Sequence, residues 1–174
     1  MLDKHMQNFR DGDIDALDHI YEETKNLVFS ICLSYMQDYM LAEDMMQDTY
    51  IRVRKYIEKY KHNTNPKAWI SKIAKNTCLN EIKKRKRINL VSDVYDMDDI
   101  SDERKERTPL LDIALKILKP KELLILLPHI IDNKKLVDIA KELNIPEGTV
   151  RWKYSNSLSK IRKYLERSNL DEIY

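Results

Sequence analysis

Apolar residues recur at three- and four-residue spacing along most of the chain, the pattern of helices with one buried face. After an Asp11-Gly12-Asp13 turn that closes a short N-terminal helical segment, one stripe runs through Ala16, Leu17, Ile20 and Tyr21. A second runs through Leu27, Val28, Ile31, Cys32, Tyr35 and Met36. The spacing predicts two helices joined near Thr24, with Asp13 as N-cap of the first. Gln37-Asp38-Tyr39 interrupts the pattern, and a long helix restarts near Leu41. Its inner stripe is Ala42, Met45, Met46, Thr49, Tyr50, Val53, Tyr56 and Ile57, and its outer face carries Glu43, Asp44, Gln47, Asp48, Ile51, Arg52, Arg54 and Lys55. A polar loop from Tyr60 to Pro66 leads to a helix from Trp69 to about Arg87 whose apolar positions are Trp69, Ile70, Ile73, Ala74, Thr77, Cys78 and Ile82. Four helices with short connections make an all-α unit over 1–88.

Between Asn89 and Arg107 the stripe disappears and Asp93, Asp96, Asp98, Asp99, Asp102 and Glu103 accumulate. That composition predicts a linker over 89–108, extended or without fixed structure on its own. Order resumes at Pro109 with Leu110, Leu111, Ile113, Ala114, Ile117 and Leu118, and Pro120 fits the first turn of the next helix. Pro128 inside that run predicts a kink or an early end, because proline lacks the amide donor and its ring crowds the carbonyl one turn back. Leu136, Ile139, Ala140 and Leu143, the turn Asn144-Ile145-Pro146, and a helix opening at Glu147 with inner positions Val150, Tyr154, Leu158, Ile161 and Leu165 read as a helix-turn-helix over the C-terminal segment 109–174.

Charge sharpens this picture. The 174-residue chain carries 43% hydrophobic and 34% charged residues and a formal net charge of only +2. From Met1 to Asp48 acids far outnumber Lys4, Arg10 and Lys25, whereas from Lys67 to Arg87 eight basic residues face the single acid Glu81. Segregation of this kind suits one surface for a protein partner and another for a polyanion. With only Gly12 and Gly148 as glycines, no GxGxxG or GxxxxGK[ST] phosphate cradle is present. Cys32 and Cys78 sit at apolar helical positions and are expected to be buried free thiols of a reducing, cytoplasmic compartment. A redox- or metal-sensing bundle built on that pair is the less favoured use of them. No apolar run reaches membrane-spanning length, so no insertion into a membrane is expected.

Catalytic chemistry has little to stand on. His5, His19, His62 and His129 are scattered, and none shares ligand or triad spacing with a Cys, Ser or carboxylate. Glu43, Asp44 and Asp48 have helical spacing, but acids beside Gln47 and Arg52 on an outer face fit a docking surface better than a metal site. No catalytic residue, metal or cofactor is therefore expected. Nucleic-acid binding has more support. The run Lys83, Lys84, Arg85, Lys86, Arg87 supplies sequence-independent phosphate affinity that falls with salt. Asn76 and Asn80, one turn apart, present donor and acceptor edges, and Trp69 has stacking on a base or packing in the core open to it. On the last helix Thr149, Arg151, Trp152, Lys153, Ser155, Asn156 and Ser159 form a polar face suited to a DNA groove.

Three segments, AEDMMQDTYIRVRKYI (Ala42 to Ile57), NPKAWISKIAKNTCLNEIKKRKR (Asn65 to Arg87) and LVDIAKELNIPEGTVRWKYSNSLSKIRKYL (Leu136 to Leu165), closely resemble the bacterial sigma-70 family in its small two-domain extracytoplasmic-function (ECF) type. The resemblance runs from about Asp13 to Glu166. It implies a sigma-2-like bundle and a sigma-4-like helix-turn-helix domain joined by the acidic linker. It also implies that Asp44, Gln47, Asp48 and Arg52 dock on the β′ clamp helices of RNA polymerase core. Tyr60, Lys67, Trp69, Lys72, Asn76, Asn80, Lys83, Lys84, Arg85 and Arg87 fall where the family reads and opens the −10 promoter element around a flipped base. The helix-turn-helix falls where the family reads the −35 element and meets the β-flap, and the linker where it threads towards the active-site cleft. An anti-sigma factor is a further implied partner. Trp152 stands where a small residue is usual, Asn156 where a basic one is common, and Pro128 is atypical. Sigma-like regulators of toxin and bacteriocin genes are a neighbouring group with similar domains. The rival reading from another class is a stand-alone helix-turn-helix regulator with a partner-binding N-terminal bundle.

Overall fold

The computed structural model describes residues 1–91 and 109–171, with side chains described over 1–87, 109–131 and 133–167. Every regular element among them is helical. Helix α1 (Leu2–Arg10) buries Leu2, Met6 and Phe9 and ends in a turn at Gly12, whose φ of 105° lies in the region where glycine alone is unstrained. Asp13 contributes its backbone carbonyl to that turn, accepting from Ala16, and the N-cap position of the next helix falls to Asp15 without a side-chain hydrogen bond. The expected Asp13 side-chain cap is thus corrected.

Helix α2 (Ala16–Met36) is one continuous helix, not two. Thr24 does not break it because its hydroxyl donates back to the carbonyl of Ile20 at 2.6 Å and also bonds the Tyr50 hydroxyl at 2.9 Å. A polar side chain satisfied in this way costs the helix little. The two offset stripes have a packing cause: the second half of α2, from Leu27 to Ser34, is buried nearly all round, while Asp18, His19, Glu22, Glu23 and Asn26 leave an exposed face on the first half. Ile20, Val28, Cys32 and Leu33 are fully enclosed. Each large aliphatic side chain so enclosed is worth about 1.5–3 kcal/mol of transfer free energy. Around it lie α1, α3 (Tyr39–Tyr56), α4 (Pro66–Val91) and α6 (Pro120–Asp132).

The α2–α3 junction is tight. Gln37 closes α2 in a left-handed conformation at φ 57°, and the Asp38 carboxylate then accepts from the Leu41 amide at 2.8 Å as the cap of α3. A single 3-10 turn, Ile57–Lys59, follows α3. Asn65 caps α4 through the Ala68 amide at 3.0 Å, with Pro66 in the first turn. Helix α4 continues to Val91, a turn beyond Arg87 and into the expected linker. The remaining linker positions, including all seven of its acids, lie outside the described residues.

Helix α5 (Pro109–Ile117) leads into α6, which does not end early at Pro128. Pro128 is buried, and its carbonyl accepts from Lys134 at 3.2 Å in the closing turn, where Asn133 adopts φ 50°. Helix α7 (Leu136–Leu143), a turn with Asn144 at φ 52°, and α8 (Glu147–Asp171) form the expected helix-turn-helix around Ile125, Ile139, Ala140 and Val150. The inner face of α8 is Val150, Tyr154, Ser157 and Ile161, whereas Leu158 and Leu165 are exposed. Four-residue steps overshoot the helical period by about 40° each, so two in a row from Val150 carry Leu158 off the core, as the step from Ile161 carries Leu165.

The two halves share one core. Leu111, Ala114, Leu118, Leu123, Leu126 and Leu127 join the same buried cluster as Ile31, Cys32 and Ala74. The Gln37 side-chain amide donates to the carbonyls of Leu115 and Leu118 at 2.8 and 3.1 Å, which ties the end of α2 to the end of α5.

Candidate nucleic-acid and partner interfaces

On α3, Asp44, Gln47 and Asp48 are exposed on one face and Arg52 is half-buried at its end. Met40 and Ile51, 62% and 64% exposed, lie on the same side. An apolar pair bracketing acids is the composition of a protein-docking face, since isolated charges alone do little for affinity. The α2 side of this face was not legible from periodicity. A groove of about 390 Å³ between α2 and α3 is lined by Tyr21, Lys25, Asn26, Phe29, Glu43, Met46 and Gln47.

On α4, Lys72, Asn76, Asn80, Lys83, Lys84 and Arg87 are exposed and follow one another up the helix over about 22 Å. Asn80, Lys83, Lys84 and Arg87 line a shallow depression. Such a face presents amide edges at one end and phosphate-binding charge at the other. The remaining expected members are placed differently. Tyr60 is only 2% exposed; its hydroxyl donates to the Asp3 carboxylate, and its ring meets Trp69 edge-on at 5.4 Å between centroids. Burial pushes the Tyr60 hydroxyl up to about 12, with the Asp3 hydrogen bond adding to it. Asp3 also accepts from His62 Nδ1 at 2.7 Å and from the Asn63 amide at 3.3 Å, so α1 pins the loop before α4. Trp69 is half-buried against that loop. Tyr60 is therefore a structural residue here, without a surface for DNA.

Lys67 points the other way and pairs with Glu142 of α7 at 3.1 Å. Arg85 is half-buried and bonded to Glu81 at 2.9 Å. That pairing was available to sequence reading, because an acid four residues before a base on a helix is a standard partner.

On α8, Trp152 is 65% exposed, and Arg151, Ser155 and Ser159 are exposed beside it. Thr149, Lys153 and Asn156 are half-buried, and Arg151 is held by Glu147 at 2.6 Å. Cys32 and Cys78 are buried free thiols; the contact with Cys78 and burial push the Cys32 thiol well up, while the same contact holds the Cys78 thiol below its ordinary range. Among the described residues no group of His, Cys, Asp or Glu converges on a metal position, and no helix is long and apolar enough to cross a membrane.

The family model for sigma-70 region 2 matches residues 20–88, the span from within α2 to near the end of α4. ECF RNA polymerase sigma factor SigW of Bacillus subtilis (strain 168) is 25% identical over 181 residues, covering 95% of this chain and 97% of that one. Residues 20–88 are thus similar to sigma-70 region 2, and the chain as a whole is similar to an ECF sigma factor. ECF RNA polymerase sigma factor SigM of the same organism is 33% identical over 78 residues, or 45% of this chain and 47% of that one. Two solved structures share the helical fold seen here. CnrH, solved in complex with the cytosolic domain of CnrY, matches with a TM-score of 0.62 at 12% identity over 95% of this chain and 97% of that one. The sigma factor RpoE of Bartonella quintana, solved with the anti-sigma factor NepR, matches with a TM-score of 0.58 at 19% identity over 85% and 97%.

Proposed function

We propose that this chain is an RNA polymerase sigma factor that lends promoter recognition and DNA opening to the core enzyme. The carrying observation is the region 2 match over residues 20–88, a span that holds two helices with opposite exposed faces, one acidic and one basic. In this reading Asp44, Gln47, Asp48 and Arg52 dock α3 on core polymerase, with Met40 and Ile51 as the apolar centre of the contact. Lys72, Asn76, Asn80, Lys83, Lys84 and Arg87 take the −10 element on α4. The cations grip the phosphates and the amides address an unstacked base. Thr149, Arg151, Trp152, Lys153, Ser155, Asn156 and Ser159 take the −35 duplex on α8. Trp152 favours apolar contact, for instance with thymine methyl groups, at a position where a small residue would leave the groove floor open.

The chain provides specificity in the cytoplasm and the polymerisation chemistry stays with core. An anti-sigma partner is part of the proposal, as is a dedicated regulon of the stress, envelope or toxin and bacteriocin kind. Run-off transcription with purified core over a randomised promoter library is the test. Promoter-specific transcripts that need only this chain and core are expected. Tight binding of a duplex operator by the chain alone, with no promoter activity gained by core, would instead make it a stand-alone regulator. Replacing Asp48 with Ala should weaken core association, measured by fluorescence anisotropy, while circular dichroism and DNA contact by the isolated chain stay as they were.

A further inference from the structure

A second site lies where the two halves meet, away from the acidic face of α3 and the basic end of α4. It is a cleft of about 530 Å³ between α4, α6, the α7–α8 turn and α8, with part of its floor supplied by α2. That floor is apolar: Ile31 and Tyr35 come from α2, Leu124 from α6, and Leu143 and Ile145 from the helix-turn-helix. Its rim is cationic. Lys72 and Lys75 of α4, Lys121 of α6 and Lys153 of α8 all line it, and none makes an ion pair with another described residue. Glu142, the lining carboxylate, is already shared between Lys67 at 3.1 Å and Lys134 at 2.8 Å. Four unpaired ammonium groups around an apolar floor are mutually repulsive until an anion arrives.

We infer that this interdomain cleft binds a small anionic amphiphile, an acyl or aromatic carboxylate or phosphate monoester. The tail would lie on Tyr35 and Leu124 and the anion between the α4 lysines and those of α6 and α8. The volume falls in the range of small-molecule sites, which favour domain interfaces, and it is too small to admit a DNA duplex. Charge-assisted hydrogen bonds from ammonium groups supply the head-group affinity and the floor supplies the rest. Because the lysines come from both halves, a bound anion bridges them and stabilises the packing of α6 against α2. The site stands on this geometry and does not depend on the promoter reading.

The test is calorimetric titration of the full chain with n-decyl phosphate below its micellar concentration, with inorganic phosphate and decanol as the separate head and tail. Saturable 1:1 binding is expected, about tenfold or more tighter than either half-ligand, together with a higher melting midpoint. K75A/K121A removes two exposed rim charges outside the DNA-facing set and should weaken binding about tenfold. K75Q/K121Q repeats the comparison should the first variant lose helical signal. Absence of saturable binding overturns the inference. So does affinity indifferent to both lysine variants, or inorganic phosphate binding as tightly as the decyl ester.

Discussion

Tyr60 donates its hydroxyl to Asp3, and each group shapes the other's ionisation. The bond holds the Asp3 carboxyl below its ordinary range, while burial and the same bond hold the Tyr60 hydroxyl protonated far into the alkaline range. Tyr60→Phe should cost about 1 kcal/mol, the value of a neutral donor removed from a charged acceptor that water reaches afterwards, and thermal denaturation will read it. Asn80 is the contrasting residue: exposed, beside Lys83 and Lys84, and with no fold contact to lose. Asn80→Ala should leave the melting midpoint alone and weaken opening of the −10 element by about 1–3 kcal/mol, the scale of one base contact. Permanganate reactivity of melted thymines measures this, and wild-type opening by the variant would remove Asn80 from the site.

Helix α8 shows how an element's register decides what its residues do. Leu158 and Ile161 are both aliphatic and three positions apart, yet one is 41% exposed and the other 4%. Ile161→Ala should destabilise by about 2–5 kcal/mol through lost transfer energy and a cavity. Leu158→Glu should change stability by no more than about 0.5 kcal/mol. Urea unfolding of the two variants tests the register directly. Pro128 makes a related point on α6. The donor it lacks is lost from the middle of the helix, but burial of its ring beside Leu126 and Leu127 offsets that cost, and the helix runs on to Asp132.

At the scale of the molecule, Glu142 is the ionic counterpart to the Gln37 amide, joining Lys67 of the first half to Lys134 of the second. Burial pushes the Glu142 carboxyl up, but hydrogen bonds from Lys134 and Lys67 outweigh it and hold the group below its ordinary range. A carboxyl with a depressed folded pKa stabilises the fold above its unfolded pKa and loses that contribution as pH falls through the folded value. Stability should therefore decline on acidification below about pH 4.5. Glu142→Gln should lower stability by about 1 kcal/mol at pH 7 and flatten part of that acid limb. Melting midpoints of the two proteins between neutral and acid pH provide the check; parallel curves would show that the pair contributes nothing to pH dependence.

Although α4 starts at Pro66, three residues before the expected Trp69, local periodicity and composition were enough to identify an all-α fold, the α7–α8 hairpin and the outward acids of α3. These depend on contacts within a turn or two, where a 3.6-residue repeat and a capping side chain act alone. The Glu81–Arg85 pair belonged to the same local class. Other outcomes required partners far along the chain. Tyr60 became a structural residue because Asp3, from the other end of the domain, reached its hydroxyl. Lys67 was spent on Glu142 because α6 and α7 fold back onto the first half. Thr24 failed to break α2 because Tyr50 completed its hydrogen bonding, and α2 showed two stripes because helices cover it from several sides. Residue type and spacing name what a side chain is able to do, but a cation or an aromatic ring has several uses of similar energy. The neighbour that tertiary packing delivers selects among them.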